Sequence, residues 1–130
     1  MTRRPPLSKG EMEVARVLWQ LGKATVRQVQ EAFPASREIG FTTVQTYLRR
    51  LDAKGYVKAR RDGRTLVYGP RVEPRKVIGQ AVDELVDRLF GGEALPLMQH
   101  LIEGGIGDSE LAQLKQLIDR LEQEEPRDAD

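Results

Sequence analysis

Hydrogen-bonding side chains are concentrated on one side of a short predicted helix that ends at Gly55. At about 100° per residue, these polar residues lie opposite an apolar face formed by Val44, Leu48 and Leu51. Hydroxyl groups, a planar amide and a guanidinium suit the donors, acceptors and thymine methyls of a DNA major groove. A solvated amphipathic helix would show the same pattern, so both interpretations are open at this point. The residues expected to face DNA bases are Thr42, Gln45, Thr46 and Arg49.

A basic hairpin is predicted directly after this helix. Segments 56–60 and 64–68 alternate in polarity and are rich in β-branched and aromatic residues, which is typical of strands. Asp62 and Gly63 form a strong two-residue turn signal between them. Arginines at the tip would bind phosphate, although charges there would also protect an edge strand from aggregation. The arginines in question are Arg60, Arg61 and Arg64.

Two further helices are predicted ahead of the polar helix. Ser8 and Thr25, each followed three residues later by Glu or Gln, mark their starts as capping boxes. The helices should run to about Leu21 and Phe33. Three helices followed by a hairpin indicate a winged helix-turn-helix within residues 1–72. The predicted fold is therefore mainly α with a small antiparallel β wing.

Charge is distributed unevenly along the chain. Residues 1–75 carry 16 Lys and Arg against 7 Asp and Glu, whereas residues 76–130 carry 5 against 13. These balances of +9 and −8 recover the net charge of +1. Only the first part is suited to a polyanion. On the flank of the polar helix that also carries Thr43, we expect Arg50 and Lys54 to contact phosphates.

Residues 73–125 are predicted to form three short helices with apolar stripes. Pro74 suits the first turn of the first helix, glycine pairs end the first two, and Asp108 or Ser109 is expected to cap the third. Residues 126–130 are expected to be a flexible acidic tail.

These three helices are too short to bury their apolar stripes alone, so we expect them to pair with a second copy of the chain. Two winged helices related by a dyad would then bind an inverted repeat in double-stranded DNA. Packing of the helices onto the first domain is the alternative. The side chains expected at the dimer interface are Val77, Ile78, Val82, Leu85, Leu89, Leu101, Leu111, Leu114, Ile118 and Leu121.

The composition argues against several classes of protein. The chain has no cysteine, which excludes disulfides, thiolate metal sites and cysteine nucleophiles. Its single histidine, His100, lies among apolar residues, and there is no glycine-rich phosphate loop, so we expect no enzyme, cofactor or metal site. No run approaches the roughly 18 apolar residues that span a bilayer, and no signal peptide is recognisable. We expect a cytoplasmic protein without membrane contact.

Several stretches carry a family resemblance. They are Leu7-Ser8 through Glu13, Leu18-Trp19, Thr43 through Leu51 with Lys54-Gly55, Val67-Tyr68 with Pro70, and Phe90-Gly91-Gly92. In pattern and order they resemble the penicillinase-repressor family of bacterial regulators, often called BlaI/MecI/CopY, over nearly the whole chain. The resemblance implies a homodimeric, nucleoid-associated repressor that binds inverted-repeat operators. It assigns operator reading to Thr42, Thr43, Gln45 and Thr46.

The resemblance also implies how such a repressor is relieved. Family members respond to β-lactams through a membrane sensor protease, and the repressor is cut in the middle C-terminal helix. Several members have Asn-Phe at the cut, where this chain has Gln99 and His100. The copper-responsive branch adds a cysteine metal motif that this chain lacks.

A winged-helix adaptor that binds proteins, without sequence-specific DNA binding, is the alternative function. The outward Thr, Gln and Arg side chains favour DNA, because a protein-binding face usually carries aromatic and aliphatic anchors. A steep loss of duplex affinity as salt rises would distinguish the two functions.

Overall fold

A computed structural model describes residues 4–124 of the chain. Helices account for most of this part, and a two-stranded antiparallel sheet accounts for the rest of the regular structure, so the predicted fold class is confirmed. The predicted acidic tail at 126–130 lies outside the described residues. In chain order, the elements are α1 (Lys9–Leu21), α2 (Val26–Ala32), α3 (Phe41–Ala53), β1 (Val57–Asp62), β2 (Thr65–Pro70), α4 (Pro74–Phe90), α5 (Leu95–Glu103) and α6 (Asp108–Gln123).

Both predicted capping boxes are confirmed. At the start of α1, the Glu11 amide donates to the Ser8 hydroxyl at 3.2 Å, and the Ser8 amide donates to the Glu11 carboxylate at 2.9 Å. At the start of α2, Thr25 and Gln28 make the same reciprocal pair at 3.1 and 2.9 Å. These bonds satisfy amide groups that the helix itself leaves without partners, and they fix where each helix begins.

The C-terminus of α3 is closed by Gly55 in a left-handed conformation, with φ of 89°. The Gly55 amide donates to the Asp52 carbonyl at 3.0 Å, and the Tyr56 amide donates to the Leu51 carbonyl at 2.9 Å. This pair of bonds is the Schellman arrangement, which favours glycine because other residues are strained at positive φ. It turns the chain directly from α3 into the hairpin.

The hairpin turn lies one residue later than predicted. Asp62 pairs with Thr65, so the two loop residues are Gly63 and Arg64 rather than Asp62 and Gly63. Gly63 has φ of 65°, which a tight two-residue hairpin turn requires. The shift extends the strands to Val57–Asp62 and Thr65–Pro70 and places Arg64 within the turn itself.

The core of the first unit lies where α1, α2 and α3 pack together over the base of the hairpin. Leu18, Leu48 and Leu51 are among its largest fully buried side chains. Outside the hairpin, Ala24 pairs with Tyr68 through amide-to-carbonyl bonds of 3.0 and 2.8 Å in both directions. This bridge joins the base of the wing to the turn between α1 and α2.

The chain divides into two compact units, the first ending at Val82 and the second beginning at Asp83. This division is ten residues beyond the predicted boundary at 72/73, because Val77 from the first half of α4 belongs to the core of the first unit. The predicted assignment of DNA binding to 1–72 and dimerisation to 73–125 stays a prediction.

The second unit contains the end of α4 together with α5 and α6. Pro74 opens α4, as predicted. The expectation that Asp108 or Ser109 caps α6 was wrong, because Gly107 holds the N-cap position without a side-chain hydrogen bond. Asp108 instead lies in the first turn of the helix, where a negative charge interacts favourably with the helix dipole.

Candidate nucleic-acid interface

The polar face of α3 points away from the core. Val44, Leu48 and Leu51 have no exposed surface, so the helix is anchored through the apolar face that the sequence predicts. On the opposite side, the predicted base-reading residues other than Gln45 are exposed, and Gln45 is half-buried. The exposed residues are Thr42, Thr43, Thr46 and Arg49.

A groove of about 500 Å³ runs between α3, the start of α2 and the second strand of the wing. It brings together two predicted base-reading side chains, Gln45 and Arg49, with the wing residue Arg64. Arg27 also lines the groove, whereas no acidic side chain from residues 4–124 does, so the charge of the groove suits a polyanion. The remaining lining residues are Thr25, Val26, Phe41, Thr65, Leu66 and Tyr68.

The three wing arginines are exposed but do not share one surface. Arg61 is paired with Leu66 across the sheet, so it lies on the face of the hairpin that continues into the groove. Arg60 follows the strand alternation onto the other face, and Arg64 occupies the turn. The wing therefore presents positive charge on both of its faces and at its tip.

On the other flank of α3, Arg50 is exposed and its guanidinium lies over the Tyr47 ring, 5.7 Å from the ring centroid. The ring itself packs against Gly10 of α1, where any side chain would overlap it. Arg50 is therefore supported at the surface by a ring that also joins α1 to α3.

Lys54 has a different environment from the one predicted. Its ammonium donates to the Glu11 carboxylate at 2.6 Å and to the Pro6 carbonyl at 2.9 Å. Glu11 is only 2% exposed, so Lys54 neutralises a buried charge. This placement gives Lys54 a structural role and does not support its predicted contact with phosphate.

Burial alone would raise the pKa of Glu11, but hydrogen bonds from Lys54 and the Ser8 amide outweigh it and lower that pKa below its usual 4.5. Nearby, the Tyr56 hydroxyl donates to the Pro5 carbonyl at 2.5 Å, and the Arg4 guanidinium donates to the Gly55 carbonyl at 2.9 Å. The segment before α1 is thus held against the junction between α3 and the wing.

The turn between α2 and α3 is tied back to α1 by a two-pronged ion pair. Arg37 donates to both carboxylate oxygens of Glu13 at 3.1 and 3.2 Å. A hydrogen bond from Arg37 lowers the pKa of Glu13 below its usual value. In the same turn, the Gln30 amide donates to the Ile39 carbonyl at 3.2 Å. These contacts fix the start of α3 relative to the two helices behind it.

Seven of the ten residues that line the groove were not predicted from the sequence, and three of them are an arginine and two aromatic residues. Arg27 lies on α2, Phe41 is the first residue of α3, and Tyr68 is 3% exposed on β2. Burial raises the pKa of the Tyr68 hydroxyl. The helical periodicity places Phe41 beside Gln45, and that signal was present in the sequence, whereas the approach of α2 and β2 is a tertiary contact.

The side chains predicted to form a dimer interface are largely exposed. Val77 is the exception, because it is buried in the first unit. Leu111 and Leu114 are half-buried, and no side chain of α5 or α6 is fully buried. Gln99 and His100 are exposed within α5. The exposed members are Ile78, Val82, Leu85, Leu89, Leu101, Ile118 and Leu121, which are 41% to 70% accessible.

Two further features concern the described residues alone. No helix in the described range is both long and apolar enough to cross a membrane. No group of three or more His, Asp or Glu side chains between residues 4 and 124 is arranged to hold a metal ion.

Comparison with known proteins places this architecture in a family. The chain is 34% identical over 124 residues to the transcriptional regulator BlaI of Mycobacterium tuberculosis, covering 94% of this chain and 89% of that one. It is 24% identical over 120 residues to the penicillinase repressor of Bacillus licheniformis, covering 92% and 94% of the two chains. Among solved structures, it is similar to the DNA-binding domain of the repressor BlaI at 30% identity, with a TM-score of 0.49 over 57% of this chain and 90% of that domain. The model of the penicillinase repressor family matches residues 7–120, and the chain belongs to that family.

Proposed function

We propose that this protein is a DNA-binding transcriptional repressor that acts as a homodimer on inverted-repeat operators. The single observation that carries the proposal is the outward face of α3, where exposed Thr42, Thr46 and Arg49 adjoin a groove lined by arginines. Base edges in the major groove are recognised by side chains of these types. Membership of the penicillinase-repressor family, whose relatives include a transcriptional regulator and a penicillinase repressor, supports the same function.

In this proposal, base contacts and phosphate contacts come from different elements. Thr42, Gln45 and Thr46 contact bases, with Thr43 and Arg49 at the edges of the reading face. Phosphates are bound by Arg50 on the flank of α3 and by the arginines of the wing. The phosphate contacts supply affinity without sequence preference, and the base contacts supply specificity.

The exposed apolar stripes of α4, α5 and α6 support dimerisation. A monomer in water would expose Leu89, Leu101 and Leu121, each more than half accessible. Large apolar side chains that remain exposed along several helices indicate a surface that a partner covers. A second copy of the chain is the partner that a two-fold symmetric operator requires.

We further propose that repression ends when the dimer is disabled through α5. Gln99 and His100 are exposed there, and glycines at positive φ, Gly92 and Gly105, flank the helix. Local unwinding at glycine-flanked joints would let a sensor protease reach the peptide bond. A cut would detach α6 from the reading head, so the two heads would no longer bind cooperatively.

Selection of random duplexes by the purified full-length protein tests the proposal. We expect enrichment of an inverted repeat, and binding to the enriched duplex should greatly exceed binding to a scrambled duplex of equal length. Duplexes recovered without a shared motif, together with affinity that does not fall as salt rises, would favour the protein-interaction adaptor instead.

Immunoblots before and after induction of the target genes test the proposed relief. We expect a fragment that ends near Gln99 to accumulate as the genes are switched on. Persistence of full-length protein during induction would contradict cleavage.

A further inference from the structure

An arginine from α2 and a phenylalanine from α3 form a stacked pair at the edge of the reading face. The guanidinium carbon of Arg27 lies 5.2 Å from the centroid of the Phe41 ring. Both side chains line the groove that also contains Gln45, Arg49 and Arg64. The pair therefore belongs to the surface proposed to bind DNA. The base and phosphate contacts proposed above do not include either residue.

Phe41 is a large apolar side chain on an otherwise polar face. It is the first residue of α3, and it is 37% exposed, whereas the apolar residues on the anchoring side of the helix are fully buried. Helical geometry places Phe41 one turn before Gln45 on the same stripe. In helix-turn-helix proteins, the N-terminal residues of the recognition helix approach base edges most closely. An exposed ring at this position has apolar surface available for a base.

Arg27 keeps its charge available. It is exposed, and within residues 4–124 no carboxylate lies within ion-pair distance of it. Stacking on the Phe41 face limits the orientations of a long side chain without neutralising it. Less conformational freedom is then lost when the guanidinium binds an anion.

The stacked pair on the other flank of α3 has a different environment. There, Tyr47 packs against Gly10 and its ring is half-buried, so Arg50 stacks on a ring that already serves the core. Phe41 is not part of the core cluster. Among residues 4–124, Phe41 therefore has no packing role in the core that accounts for its exposed surface.

We propose that Phe41 and Arg27 form a composite recognition element, in which the Phe41 ring contacts the 5-methyl group of a thymine and Arg27 binds a neighbouring phosphate. This inference rests on the proposed function, because it specifies one base of each operator half-site. Thymine is the base that offers a methyl group in the major groove, and apolar side chains recognise that methyl. A phosphate beside the base would meet a guanidinium already held in place by the ring.

Deoxyuridine substitution tests the methyl contact. Each thymine of the selected operator is replaced singly by deoxyuridine, which removes the methyl and leaves the base pairing unchanged. We expect one thymine in each half-site, at equivalent positions, whose replacement lowers wild-type affinity about fourfold. This is the effect of removing one methyl group from an apolar contact. In Phe41→Ala the same replacement should not change the affinity. In Phe41→Leu, which keeps an apolar contact, it should lower the affinity by less than in the wild type.

Salt dependence tests the phosphate contact. Arg27→Gln should reduce the slope of log affinity against log salt by about one on both operator and scrambled DNA. Arg16→Gln is the matched control, because Arg16 is an exposed arginine on α1, which contributes no residue to the groove. It should leave the slope unchanged.

The outcomes separate this inference from the proposed function. Selective operator binding in which no thymine couples to Phe41, or an unchanged salt slope in Arg27→Gln, would overturn the composite element and leave the repressor proposal standing. Absence of selective binding by the wild-type protein would overturn both. If Phe41→Ala did not fold, Phe41→Leu would still test the methyl contact, because deoxyuridine substitution should lower its affinity by less than that of the wild type.

Discussion

Single residues on α3 are exposed to different degrees, and this determines what each substitution can test. Thr46 is exposed on the side opposite the buried Leu48, whereas Gln45 is half-buried and lines the groove. A change at Gln45 therefore affects both base contacts and the shape of the groove. Thr46 gives the cleaner measurement of base reading.

Thr46→Ala is expected to weaken binding to the selected operator by about 1 to 3 kcal/mol and to change binding to scrambled DNA little. The hydroxyl removed would contact a base edge, which is present in the correct pattern only in the operator. Fluorescence anisotropy titrations on both duplexes measure the difference. Equal losses on the two duplexes would remove Thr46 from the reading face.

Lys54→Met is expected to lower the free energy of unfolding by about 3 kcal/mol, because it leaves the Glu11 carboxylate buried without its cation. Urea denaturation at pH 7 measures this loss. In the same variant, the salt slope of DNA binding should remain that of the wild type. A salt slope lowered by one, with an unchanged free energy of unfolding, would instead indicate that Lys54 contacts a phosphate.

The lowered pKa of Glu11 predicts how stability depends on pH. As the pH falls, Glu11 takes up a proton in the unfolded chain before it does so in the folded protein. The contribution of Glu11 to stability is therefore complete above about pH 4.5 and is lost as the pH falls further. Glu11→Gln should therefore be less stable than the wild type at pH 7, and the gap should narrow in acid. Thermal unfolding across pH 3 to 7 measures both curves, and a constant gap would contradict the assignment.

At the scale of secondary structure, the ends of helices were more predictable than their contacts. Ser8, Thr25 and Gly55 act through bonds to residues three or four positions away, so the sequence contains the whole signal. The pairing of Ala24 with Tyr68 joins segments 44 residues apart, and the ion pair of Lys54 with Glu11 spans 43 residues. No local pattern encodes such distant partners.

The hairpin shows how a correct local signal can still give the wrong register. Asp62-Gly63 is a favoured turn pair, but Gly63 supplies the positive φ at the first loop position and Arg64 follows it in the turn. The one-residue shift places Arg64 within the turn rather than at the start of the return strand. In the candidate site, the outward face of α3 was predictable from periodicity, whereas the groove was not, because three separate elements form it.

Neutralising the wing is expected to reduce affinity for all duplexes alike. Arg64→Gln should lower the salt slope by about one, because Arg64 lines the groove beside Arg49. Arg61→Gln and Arg60→Gln, on opposite faces of the hairpin, show which face meets the backbone. Titrations at several salt concentrations measure the slopes. Unchanged slopes in all three variants would exclude the wing from the interface.

At the scale of the whole molecule, the two compact units differ in chemistry. The first contains the arginine-lined groove and a buried core, whereas α5 and α6 of the second have no fully buried side chain. The excess of acidic residues after residue 75 would repel DNA from this part of the chain. DNA binding and self-association are thus expected from different surfaces.

Ile118→Glu is expected to convert the dimer to monomers that bind the operator weakly. Ile118 is 46% exposed within one chain, so the substitution is compatible with a folded monomer, but the charge would have to be desolvated in an interface. Light scattering at micromolar concentration measures the mass. Gln116→Glu, on the opposite side of α6, is the matched control and should remain dimeric. A monomeric wild-type protein would contradict the proposal.

The side-chain chemistry of the reading face also determines which signals it can sense. The hydroxyls of Thr42 and Thr46 and the amide of Gln45 carry no titratable proton near neutrality. DNA phosphates stay ionised over that range. We therefore expect base contacts made by these three side chains to be insensitive to acidification of the cell, so that a change of pH would have to act on another part of the protein.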